Sequence, residues 1–95
     1  MKPRITLSLK SDGELEIHLN AEGRDLLVRE LQSLSERWDH FHLAPNARDG
    51  DPPDLGDVGV GSVPYNEGDR IIEYGKVLFR PDEWDLAHFA HVMVG

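Results

Sequence analysis

The chain contains no cysteine. That excludes a disulfide framework and any metal site built on thiolates. It is also short of positive charge: 10 Lys and Arg stand against 18 Asp and Glu, a formal net charge of -8. A phosphate backbone is held by clustered Lys and Arg, so nucleic acid is not the expected partner. The acidity suits solubility, or a basic protein partner. No run is long and apolar enough to span a membrane. The N-terminal stretch alternates instead of forming the apolar block of a secretory signal, so the expected location is cytoplasmic. There is no internal repeat and no complete catalytic signature. No serine sits in a nucleophile-elbow context. Gly56, Gly59 and Gly61 lack the helix and the Lys-Ser/Thr pair of a phosphate-binding loop. The 95 residues suffice for one domain with one modest core.

What the chain does have is periodicity. Ile5, Leu7 and Leu9 alternate with Arg4, Thr6, Ser8 and Lys10, and Leu15, Ile17 and Leu19 alternate with Glu14, Glu16 and His18. These are two half-buried strands. Directly opposed residues of an antiparallel pair share a face, so Leu9 must meet Leu15, Leu7 meet Ile17, and Ile5 meet Leu19. Ser11-Asp12-Gly13 is then the loop, with Gly13 in the left-handed region, and Lys10 faces Glu14. A two-residue Asp12-Gly13 turn would set Leu9 against Glu16 and mix the faces.

From Asn20 the period changes. Leu27, Leu31, Leu34 and Trp38, widened by Leu26, make a helical stripe over residues 20–37. Asn20 is the predicted N-cap. Glu22 and Arg37 sit near the ends where their charges complement the helix dipole. Gly23 is a poor interior helix residue. A lone amphipathic helix of this length is marginal in water, so the stripe should cover the apolar face of the hairpin.

A strand over residues 38–43 follows, with Phe41 and Leu43 on one face and Trp38, His40 and His42 on the other. Pro45 ends it or confines it to an edge. Residues 46–57 are rich in turn formers. Val58 and Val60 suggest a short strand reaching towards Val63, and residues 64–68 a turn. Residues 70–79 are strand-like, with Gly75 marking a bulge or a tight turn that divides them. Pro81 opens a final helix whose apolar stripe is Leu86, Phe89, Ala90 and Met93. The fold class is α+β: an antiparallel sheet of four to five strands, one main amphipathic helix on it, and a short C-terminal helix.

Two groups of residues could carry chemistry. His40 and His42 alternate on a strand and point the same way; His88 and His91, three apart on the last helix, share a face. With Asp39 they supply nitrogen and oxygen donors for zinc or another divalent ion, though no spacing brings the two pairs together. Read plainly, they are separate polar residues, and no cofactor is expected. The second group is Asp49, Asp51, Asp54 and Asp57. Hard cations want several oxygens from a tight loop, but Pro52-Pro53 breaks the helix–loop–helix calcium pattern. A solvated acidic loop is the simpler reading, and a contact loop for a basic protein is the functional one.

Strand, helix (Asn20-Ala21-Glu22-Gly23-Arg24-Asp25-Leu26-Leu27) and the run Asp39-His40-Phe41-His42-Leu43 resemble the immunity protein 32 group of bacterial polymorphic toxin systems. The resemblance covers residues 15–45. It implies a small α+β protein that binds and neutralises a co-encoded toxin, and it assigns no catalytic role to either histidine. The expected function is therefore a non-enzymatic acidic binding protein with a basic toxin as partner. The alternatives are a metal-binding protein or metal-dependent enzyme using the histidines, and an oligomer subunit.

Overall fold

The computed structural model describes residues 2–46 and 57–94. Strands β1 (Ile5–Leu9) and β2 (Leu15–Leu19) form the antiparallel hairpin in the register the alternation demands: Ile5 opposite Leu19, Leu7 opposite Ile17, Leu9 opposite Leu15. Lys10 N–H donates to the Glu14 carbonyl at 2.8 Å and Gly13 N–H to the Lys10 carbonyl at 2.9 Å. Gly13 has φ +92°, a conformation that costs glycine little and other residues more.

Helix α1 (Ala21–Ser33) starts as predicted, with the Asn20 side chain accepting from Gly23 N–H at 2.7 Å. It ends four residues short of Arg37. Leu34 is extended, Ser35 N–H donates to the Trp38 carbonyl at 2.9 Å, and Trp38 N–H donates to Ser35 Oγ at 3.1 Å. Serine offers the backbone a local alternative to the helix ladder, and here that alternative wins. Trp38 therefore lies outside the helix and is exposed.

The second half departs further from the predicted single antiparallel sheet. There are two three-stranded sheets, ordered β2-β1-β5 and β4-β3-β6. Strand β3 (His40–Pro45) pairs in parallel with β4 (Asp57–Val60) and antiparallel with β6 (Gly75–Leu78). Strand β5 (Arg70–Ile71) joins β1 at Ser8 and Leu9. Residues 70–79 are thus neither one bulged strand nor a hairpin; they break at Ile72, Glu73 and Tyr74 and cross from one sheet to the other. The sheets meet where Gly61 N–H donates to the Ile5 carbonyl at 2.7 Å.

The core explains this arrangement. Ile5, Leu7, Phe41, Val58 and Val60 are buried, and Leu26, Leu27 and Leu34 of α1 pack against them. The helix thereby covers β1 and the second sheet. It leaves the apolar face of β2 open: Leu15, Ile17 and Leu19 remain 52 %, 50 % and 39 % exposed, and Leu31 is exposed too. The expectation that the leucine stripe covers the whole hairpin is corrected on this point.

Helix α2 (Asp82–His88) follows Pro81, which occupies the cap position without a side-chain bond. Phe89, at φ −139° and ψ 53°, breaks it, and Ala90–Val94 continue as a 3-10 helix. Leu86, Phe89 and Met93 stay exposed instead of docking on a sheet.

Candidate functional site

Asp39 stands just before β3, where Phe79 N–H donates to its carbonyl at 2.7 Å and ties it to the end of β6. Its Oδ1 lies 2.7 Å from His40 Nδ1. A carboxylate only accepts, so Nδ1 carries the proton of this bond. Arg80 Nη1 lies 3.8 Å from the other oxygen, Oδ2. The bond from His40, and then the charges of His40 and Arg80, hold the Asp39 carboxyl below its ordinary range, against the opposing effect of desolvation.

Asp39 opens onto a cleft of about 390 Å³ lined also by Glu36, Arg80, Glu83, Trp84 and His88. The Arg80 guanidinium sits 4.3 Å from the Trp84 ring centroid, and the His88 ring packs on the same tryptophan at 4.5 Å. Three carboxylates, Glu36, Asp39 and Glu83, thus line one cleft with a guanidinium that already has Asp39 and Trp84 beside it.

The predicted histidine cluster is only partly assembled. His40 and His42 do share a face of β3, with ring centroids 5.1 Å apart and edge to face. His88 reaches the Asp39 cleft, whereas His42 lines a separate hollow beside Tyr74 and Lys76. The predicted pairing of His88 with His91 on one helix fails, because α2 ends at His88; His91 lies in the 3-10 segment with its ring against Phe89. Among the described residues no three His, Asp or Glu side chains are placed to hold one metal ion. Of the acidic loop, Asp49, Asp51 and Asp54 lie outside the described residues. The Asp57 backbone opens β4 opposite His42.

A second polar cluster escaped the sequence reading. Lys10 Nζ lies 2.7 Å from Asp69 Oδ1 and 3.7 Å from Glu16 Oε1. His18 stacks on Tyr65 at 3.9 Å, with its Nε2 3.5 Å from Glu16 Oε1. The Asp69 carboxylate is only 4 % exposed, and its bond from Lys10 lowers its pKa while raising that of Lys10. The Ser8 hydroxyl, on the same face, is buried without a protein hydrogen-bond partner among the described residues. Lys10 and Glu16 were legible as the wet face of the hairpin. Asp69 was not, since nothing local says which face the 64–68 turn returns to.

No protein-family model, curated protein or solved structure matches this chain.

Proposed function

We propose that this chain is a non-enzymatic binding protein whose partner is a basic protein. The observation that carries the reading is the C-terminal surface: Trp84, Leu86, Phe89, Val92 and Met93 are all exposed on one short segment. Asp82 and Glu83 precede it, Asp85 interrupts it, and it adjoins the cleft of Glu36 and Asp39. Contiguous exposed apolar surface rimmed by charge marks protein interaction sites, and an aromatic ring is a frequent anchor in them. Carboxylates around such an anchor select a basic counterpart. The resemblance over residues 15–45 narrows the partner to a co-encoded bacterial toxin, with the protein acting as its immunity factor in the cytoplasm. The acidic segment of Asp49, Asp51, Asp54 and Asp57 then serves to steer encounter.

The test is association kinetics with the product of the adjacent gene. Trp84→Ala should weaken binding by at least about tenfold, chiefly through faster dissociation. Replacing Asp49, Asp51, Asp54 and Asp57 by Asn should slow association at low salt, with a smaller effect at high salt, because salt screens charge steering over about 8–10 Å near physiological ionic strength. No binding by the native chain would reject the toxin reading. Binding indifferent to Trp84 would remove the C-terminal surface from the interface.

A further inference from the structure

We infer that β2 is a self-complementary edge through which two copies of this chain join their sheets antiparallel about a two-fold axis at Ile17.

The backbone is oriented for it. The hydrogen bonds that flank the β1–β2 ladder, Lys10 N–H to the Glu14 carbonyl and Asn20 N–H to the Arg4 carbonyl, put the even-numbered residues of β2 in its hydrogen-bonded pairs. The N–H and C=O groups of Leu15, Ile17 and Leu19 therefore point away from β1, along the outer edge of the sheet. Native edges are usually blunted by Lys, Pro, a bulge or brevity. Two of the three other edges have such a feature: β6 carries Lys76 and β5 is only two residues long, while β4 is a four-residue strand with a glycine inside it. Strand β2, Leu-Glu-Ile-His-Leu, has no Lys and no Pro, and it pairs with β1 without a bulge.

The side chains then choose the occupant and the register. With Ile17 opposite Ile17 of a second copy, Leu15 meets Leu19, and each outward residue exchanges its backbone bonds with its counterpart. Glu16 meets His18 twice, by symmetry. Those two fall at the non-hydrogen-bonded positions, where facing side chains come closest. Slipping by two residues one way sets Glu16 against Glu16; the other way sets His18 against His18. Slipping by one puts leucines against polar residues. Only the Ile17-centred register satisfies apolar matching and polar complementarity together, since a carboxylate accepts from an imidazole N–H. The open face of Leu15, Ile17 and Leu19 becomes continuous across the seam. An isologous two-fold contact of this kind closes and does not propagate into fibres.

The experiment is the solution mass of the full chain, by light scattering after gel filtration, with circular dichroism of every variant. At about 100 µM the native chain should run at twice its 10.7 kDa mass and dissociate on dilution. Ile17→Lys sets like charges on the axis, at a position exposed in the single chain. It should raise the dissociation constant at least about tenfold with an unchanged spectrum. His18→Glu should also yield monomer, and the double variant Glu16→His with His18→Glu should recover the dimer because it restores both facing pairs. A native chain of 10.7 kDa at that concentration overturns the inference. So does a dimer indifferent to Ile17→Lys, or a folded double variant that stays monomeric.

Discussion

Gly23 and Gly13 are both constrained, for opposite reasons. Inside α1, replacing Gly by Ala normally gains up to about 1 kcal/mol. At position 23 a Cβ would collide with the Arg4 carbonyl oxygen, because the helix start is laid directly against the chain entering β1. Gly23→Ala is therefore expected to destabilise by about 1–3 kcal/mol, the usual cost of overpacking, as read from urea unfolding. Gly13 has open space around its missing Cβ, so only its positive φ matters. Gly13→Val should cost at least about 1 kcal/mol. A loss near zero would mean that the turn is not the one described.

Among the elements, α1 depends on Asn20 for more than a cap. Its Oδ1 accepts from Gly23 N–H and Arg4 N–H, and its Nδ2 donates to the Lys2 carbonyl. Asn20→Asp keeps both acceptor bonds and loses the donor, whereas Asn20→Ala loses all three. The expected order of stability is native, Asp, Ala, with Ala about 1–2 kcal/mol below native by urea unfolding. Lys10 and Asp69 add a side-chain link where β5 joins β1. Asp69 is held below the ordinary carboxylate value of about 3.9, so its contribution is present above that pH and is lost as pH falls through the folded-state value. Lys10 is raised above its ordinary value of about 10.4, so its contribution is present below that pH and is lost as pH rises through the folded-state value. Lys10→Met should move the midpoint of acid unfolding to higher pH, because Asp69 then has no cation to favour its charged form. An unmoved acid midpoint would show that the pair contributes nothing to folding.

For the molecule as a whole, metal binding separates the competing functions. An ion bound only by the folded state raises apparent stability by mass action. His40 and His42 share a face, but among the described residues no three His, Asp or Glu side chains are placed to hold one ion. Excess zinc, nickel or manganese is expected to leave Tm unchanged. A rise abolished in the double His40→Ala, His42→Ala variant would favour the metal reading over the binding-protein one.

Local chemistry by itself determined the hairpin register, the Gly13 turn, the Asn20 cap and the shared face of His40 and His42. Each follows from a period of two or from bonds spanning a few residues, which neighbours in the chain settle among themselves. Tertiary structure alone decided the parallel β3–β4 pair, the division of residues 70–79 between two sheets, and the Lys10–Asp69 link. Those contacts join residues far apart in sequence, and alternation records which side chains share a face but not which strand lies beside it. It also decided which apolar residues go unburied. Leu15 and Leu7 have the same place in the alternating pattern, yet only Leu7 lies under α1, because one helix is wide enough to cover β1 and the second sheet but not the edge strand as well.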